Sequence, residues 1–239
     1  MQPFSPASHI RACFYGRHGG VSEGAFASLN MSLSTQDAEE NVAENRRRVA
    51  EMMGGDLRML SQIHSALCID AHDAPQQADA LVTNRPGLVL GVMGADCTPV
   101  LFYDADAGVI GAAHAGWRGA FEGILEATIH AMQERGAMHI TAMIGPCIGP
   151  ESYEVDEGFK ARFPASDAAL FRPGDRKGHF MFDLPGYCLK RLEANGVSVS
   201  MRHWRDTYAH PRDYFSHRRM VHENRTCEGR QISCITIQT

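Results

Sequence analysis

Short apolar runs bounded by turn residues recur along the chain and predict strands over 10–15, 58–63, 80–83, 88–93, 100–103, 109–114, 138–144, 197–201 and 232–237. Elsewhere the apolar period lengthens to that of a helix. Val42, Arg46, Val49 and Met52 predict a helix over 37–53, with Asp37 as N-cap and Gly54-Gly55 as its stop. Phe121, Ile124, Leu125, Thr128, Ile129 and Met132 form an apolar stripe on a helix over 120–135. Further helices are expected over 156–163 and 184–195, the second ended by Gly196. Strands interleaved with helices give an α/β (α+β) class, with helices layered on sheet.

There is no internal repeat, low-complexity tract or Pro/Ser-rich linker, so residues 1–239 read as one domain. At 44% hydrophobic residues the chain can bury a sizeable core. A net charge of −5 without a basic run leaves no electrostatic footprint for nucleic acid or an anionic membrane. No apolar stretch reaches the roughly 18 residues of a membrane span, and the N-terminus lacks a leader pattern. A cytoplasmic protein with a small-molecule partner is expected. Seven cysteines, an odd number, then read as free thiols or ligands rather than as a disulfide framework.

Three side chains at or beside predicted strand ends carry the strongest candidate chemistry: His64 in SQIHS, Cys97 in GADCTPV and His114 in AAHAGWRG. Two imidazoles and a thiolate suit a catalytic zinc, which takes three protein ligands and leaves a fourth position open. The spacing is not that of a zinc finger, since 32 residues lie between the first pair and 16 between the second. By spacing alone, Cys97 could equally be a small buried hydrophobe. Asp96 and the glycines around His114 break otherwise apolar strands, which calls for a ligand or a close backbone approach. The helix start after Trp117, beside Arg118, would face an anion with its N–H groups.

A second group, Arg17 to Ser22 with Ser28-Leu29-Asn30 and Asn45-Arg46, suits a polar or phosphorylated ligand or is a solvated loop. A third, Tyr214 to Arg219 with Gly229-Arg230-Gln231, is a C-terminal lid or a charged connection.

Taken in order, HGGVSEGAFASLNMS, NVAENR, QIHS, ADALVT, GADCTPVLF, AAHAGWRGAFEGIL, IGPCIGPESYEV, YFSHRR and GRQI resemble the laccase-domain, or polyphenol oxidase, family, also described as a purine nucleoside phosphorylase family. The resemblance runs from about Arg17 to Ile237. It implies a single-domain α/β/β/α layered sandwich with mixed sheets, and a metal site on His64, Cys97 and His114, which are then also the catalytic residues. It implies zinc-dependent phosphorolysis of adenosine, inosine, guanosine and methylthioadenosine, with deamination of adenosine. The oxidase name implies copper and phenol oxidation. Gly94 stands where many members carry Thr, and His217 where Tyr is more usual.

Within that reading Arg46 and Arg118 are the candidate phosphate ligands, and Asn30, Asn45 and His18 further substrate contacts. Asp96, Glu23, Glu122 and Glu151 compete for proton transfer, and spacing does not choose among them. A copper polyphenol oxidase, a hydrolase with Cys97 as nucleophile and His114 as base, and a nucleoside-binding module without turnover are the alternatives. Cys13, Cys68, Cys147, Cys188, Cys227 and Cys234 are expected to be free thiols, with Cys147 nearest to a site role.

Overall fold

The computed structural model describes residues 2–74 and 76–238. The chain opens with β1 (Phe4–Ala7) and β2 (Ile10–Phe14), crosses a long loop and enters α1 (Glu39–Met53). Two short strands, β3 (Asp56–Arg58) and β4 (Cys68–Asp70), precede the central run of β5 (Ala80–Thr83), β6 (Leu88–Gly94), β7 (Thr98–Asp104) and β8 (Val109–Ala115). Helices α2 (Trp117–Glu122) and α3 (Ile124–Gln133) lead to β9 (Thr141–Ile144), β10 (Glu154–Asp156) and α4 (Glu157–Lys160). The remainder is β11 (Phe171–Pro173), β12 (His179–Phe182), α5 (Leu184–Ala194), β13 (Ser198–Ser200), α6 (His217–His222) and β14 (Gln231–Ile237).

Two mixed sheets stack face to face. One has the order β1-β2-β14-β6-β3, the other β13-β9-β7-β8-β5-β4, and a small antiparallel sheet β10-β12-β11 stands apart. Ile10, Leu90, Val92 and Ile235 of the first sheet interlock with Leu81, Leu101, Ile110 and Met143 of the second, so both sheets are apolar on their facing sides. Helix α1 closes the outer face of the first sheet through Val49 and Met53, packed on Cys13, Val89 and Ile232. Helices α3 and α5 close the outer face of the second through Ile124, Leu125, Ile129, Cys188 and Leu192. The result is the α/β/β/α sandwich, with central strands buried on both faces and therefore nearly continuous in apolar sequence. No helix among the described residues is long and apolar enough to cross a membrane.

Several element boundaries differ from the sequence expectation, each for a local reason. Helix α1 begins at Glu39 with Ala38 as its uncapped N-terminal neighbour. Asp37 is not the cap: its carboxylate accepts from Ser22 Oγ at 2.6 Å and Asn30 Nδ2 at 2.9 Å, closing the preceding loop. The buried face of α1 is Val42, Asn45, Val49 and Met53, so Asn45 replaces Arg46 and Met53 replaces Met52. Asn45 tolerates burial because its amide donates to Ser22 Oγ and Asn30 O and accepts from Val21 N.

The helix over 120–135 is two helices, because Gly123 at φ 104° turns the chain between them. The helix over 156–163 shrinks to α4. The strand over 58–63 ends at Arg58. Beyond it the Gln62 side-chain amide takes the place of the ladder, donating to Met93 O and accepting from Met93 N, both at 2.8 Å. That frees the main chain to swing out at His64. Strands β1, β4, β10, β11 and β12 and helix α6 had no counterpart in the sequence reading, being three to six residues long.

Candidate functional site

The antiparallel pairing of β7 with β8 sets Pro99 opposite His114 and Thr98 opposite Ala115. Cys97, just ahead of β7, and His114, at the end of β8, therefore meet at one sheet end despite their separation in sequence. His64 reaches the same point from the loop after Gln62, in a left-handed backbone conformation at φ 58°. One donor atom from each of His64, Cys97 and His114 lies within 4.8 Å of the others. The two imidazoles meet edge to face at 4.9 Å between centroids.

Asp79, a fully buried residue just before β5, holds this arrangement. Oδ1 accepts from His64 N at 3.0 Å and lies 2.9 Å from His114 Nδ1. Oδ2 accepts from Ile63 N at 3.2 Å, Ser65 N at 2.6 Å and Ser65 Oγ at 2.8 Å. One carboxylate thus fixes the strained loop of His64 and, by accepting the Nδ1 proton, leaves His114 Nε2 as the nitrogen a metal would take on displacing its proton. Sequence reasoning missed Asp79; the signal was an aspartate placed directly against the apolar run Ala80-Leu81-Val82, which burial permits only with several donors.

The donor set and its surroundings fit a metal. Burial raises the Cys97 thiol, but the charges and hydrogen bonds of His114 and His64 together outweigh it and bring it down to about 6, so that a thiolate is available at neutral pH. Burial lowers His114, and the Cys97 charge with the Asp79 hydrogen bond outweighs that to bring it up to about 9, so without an ion the two groups rest as thiolate and imidazolium, and metal binding would displace the Nε2 proton. The Asp79 carboxyl, raised by burial, is pulled down to about 2 chiefly by His114 and Ser65. Finally, a Cβ on Gly116 would stand 2.9 Å from His64 Nδ1 and 3.0 Å from Cys97 Sγ, so only glycine leaves both donors in place. Gly116→Ala is expected to fold and to lose metal affinity by about 10- to 100-fold, the scale seen when a partner that orients a ligand is lost. Competition with a chelating dye measures it, and unchanged affinity would show that the two donors do not converge on an ion.

The cluster lies in a cavity of about 930 Å³, within the range of small-molecule sites. Trp117, Ile148, Tyr153 and Leu184 give an apolar wall, and Arg46, Arg218 and Arg230 a cationic one. Of the four carboxylates weighed for proton transfer, only Asp96 lines the cavity. Its oxygens accept from Thr207 Oγ1 at 2.7 Å, Ser216 Oγ at 3.0 Å and Arg218 N at 2.6 Å, which docks the start of α6 against the site. His217 also lines the cavity, lowered by burial and by the Arg230 and Arg218 charges.

Arg46 is at the cavity, but Arg118 is not. The Arg118 side chain is 60% exposed and paired with Glu122 at 2.8 Å, because the six-residue α2 points it outward. Asn30 and Asn45 are fully buried and spend their amides on the loop they hold. His18 is exposed beside Asp213 and does not line the cavity. Arg17 donates to Ala27 O and Pro211 O. All seven cysteines are free, and Cys147 is buried outside the cavity wall.

A relative from Pseudomonas aeruginosa named purine nucleoside phosphorylase is 35% identical over 243 aligned positions, covering 100% of this chain and 98% of the relative. Another of that name from Deinococcus radiodurans is 40% identical over 200 positions, covering 81% of this chain and 78% of the relative. The crystal structure of a Neisseria meningitidis protein superposes with a TM-score of 0.88 at 32% identity, over 100% of this chain and 99% of the other. That of YlmD from Geobacillus stearothermophilus gives 0.83 at 32% identity, over 97% and 93%. The sequence model that matches residues 11–238 is described as multi-copper polyphenol oxidoreductase laccase, and the chain belongs to that family.

Proposed function

We propose that the protein is a zinc-dependent purine nucleoside phosphorylase that also deaminates adenosine. The observation that carries this reading is a single cavity joining a His-Cys-His donor cluster to Arg46, Arg218 and Arg230, whose partners among the described residues are main-chain carbonyls rather than carboxylates. The names of the relatives support the substrate class. Adenosine, inosine, guanosine and methylthioadenosine are the nucleosides proposed.

His64, Cys97 and His114 would hold the zinc, and the bound ion would supply a Lewis acid at its open position. The rest falls to the chain itself. Trp117, Ile148, Tyr153 and Leu184 offer a purine an apolar wall that excludes water. Arg46, its Nε and Nη2 fixed on Met31 O at 3.0 and 2.8 Å, keeps Nη1 for phosphate. In phosphorolysis an oxygen of hydrogenphosphate bonds to C1′ as the C1′–N9 bond breaks. The bonding pair leaves with the purine, which ends with the proton hydrogenphosphate carried. Orientation and charge do most of this work, so no nucleophilic side chain is needed. For deamination, Asp96 is the candidate carboxylate on the cavity wall, and to move protons it would give up one of its hydrogen bonds from Thr207, Ser216 or Arg218 N.

The family description favours copper as the second reading. Multicopper oxidation needs several copper-ligand clusters, whereas one group of three converging His, Cys, Asp or Glu ligands occurs among the described residues. Metal analysis with adenosine assays in the presence and absence of phosphate tests the choice. Zinc near one equivalent with phosphate-dependent base release is expected; copper with phenol oxidation would replace the proposal.

The two arginines expected from sequence now separate. Arg46→Ala should depress phosphate-dependent base release by about tenfold to a hundredfold, as charge-assisted contacts of about 1.5–3 kcal/mol imply, and adenosine deamination far less. Arg118→Ala should change neither. Steady-state rates across a phosphate titration check this, and equal losses in both reactions for Arg46→Ala would remove it from phosphate binding.

A further inference from the structure

Several arginines of this chain pair with carboxylates, among them Arg47 and Arg48 with Glu44, Arg135 with Asp70, Arg191 with Glu126 and Arg225 with Glu228. The three arginines of the cavity wall, Arg46, Arg218 and Arg230, are held differently: Arg218 donates through Nη1 to Glu154 O at 2.7 Å, apart from the junction that ties the other two. Arg46 donates through Nε and Nη2 to Met31 O. Arg230 donates through Nη1 to Glu228 O at 3.1 Å and Gly229 O at 2.9 Å. Carbonyls orient a guanidinium without neutralising it.

The two arginines are also tied to each other's neighbourhood. Met31 N donates to Arg230 O at 3.0 Å, so the residue that clamps Arg46 is itself clamped by the main chain of Arg230. Asn30 Oδ1 accepts from Arg230 N at 3.0 Å and fixes the same junction. Ser32 and Ser34, the next residues along, line the cavity with hydroxyls 2.8 Å apart. Arg46 Nη1 and Arg230 Nε and Nη2 have no partner among the described residues. Arg46 and Arg230 thus put two like charges on one cavity wall, both oriented by neutral groups, and a fork of N–H donors with hydroxyls matches a tetrahedral oxyanion.

We propose that Arg46 and Arg230, with the hydroxyls of Ser32 and Ser34, form the inorganic phosphate subsite of this cavity. The assignment rests on the phosphorolysis proposed above and adds Arg230 to it as a binding residue. The subsite joins α1 to the start of β14, so residues nearly two hundred positions apart meet on one ligand. Arg230 serves it through its side chain, while its main chain does the structural work on Asn30 and Met31.

That division makes the proposal testable, because substitution of the side chain leaves the main-chain clamp intact. In the zinc-loaded enzyme, Arg230→Gln should raise the KM for phosphate by about tenfold to a hundredfold, the effect of losing one charge-assisted contact, with the KM for inosine near that of the parent. Calorimetric titration with inorganic phosphate alone should show the same weakening. Arg230→Lys, which keeps the charge but not the fork, should lie between and, with thermal unfolding of both variants, separates binding from folding. An Arg230→Gln protein that folds and binds phosphate as the parent does overturns the subsite. If instead the parent releases no base from any purine nucleoside yet binds phosphate in a way Arg230→Gln weakens, the phosphorolysis reading falls and the oxyanion subsite stands.

Discussion

Cys97→Ala is expected to take the bound metal from near one equivalent to near zero and to abolish phosphorolysis and deamination together. The thiolate is the one anionic ligand of the set, and it lies where His64 and His114 converge. Losing a group that merely orients a ligand already costs about 10- to 100-fold in affinity or activity, so loss of the ligand should exceed the upper end of that range. The fold should persist, because Cys97 is only partly buried and precedes β7 rather than lying inside it. Metal content by mass spectrometry, circular dichroism and both assays on one preparation decide the matter. A folded Cys97→Ala enzyme with a full equivalent of zinc and normal rates would detach the cluster from the chemistry. Cys97→Ser that keeps its metal but loses turnover would favour the thiol hydrolase.

The cluster could be named from the chain only through its motifs, because the distance between Cys97 and His114 is a property of strand pairing rather than of sequence separation. The apolar runs at 88–93, 100–103 and 109–114 were legible as strands. Their antiparallel register was not, and it is the register that sets Cys97 beside His114. Arg118 shows the opposite failure: adjacency in sequence to HAGW suggested a site role, yet the turn of α2 carries its side chain to Glu122 and solvent. On α1 the helical period and the places of Val42 and Val49 were visible, but Asn45 rather than Arg46 is buried, on hydrogen bonds that apolar patterning does not record. Helix interruption at Gly123 and the small sheet of β10, β11 and β12 depend on backbone angles and long-range pairing that short runs do not announce.

Asp79 is expected to give the largest combined effect on stability and metal binding of any residue that does not itself reach the cluster. Its carboxylate is fully buried and accepts three main-chain N–H groups, the Ser65 hydroxyl and the His114 ring. Asp79→Ala leaves those donors without a partner and the left-handed His64 loop without its clamp. Breaking a buried charged pair costs about 3–5 kcal/mol, which for a chain of this size corresponds to a fall in Tm of very roughly 6–20 °C at about 2–4 °C per kcal/mol. Asp79→Asn separates stability from positioning. The amide keeps one acceptor edge, and the less costly orientation turns it toward Ile63 N and Ser65 N, leaving the NH2 facing His114 Nδ1. An N–H donor there forces the imidazole proton onto Nε2, the nitrogen the metal needs. Asp79→Asn should therefore unfold closer to the parent temperature than Asp79→Ala does, yet bind zinc about 10- to 100-fold more weakly. Calorimetric unfolding and a zinc titration of both variants measure the two effects separately. Parent-like zinc affinity in a folded Asp79→Asn protein would show that Asp79 supports the loop alone and does not set the His114 tautomer.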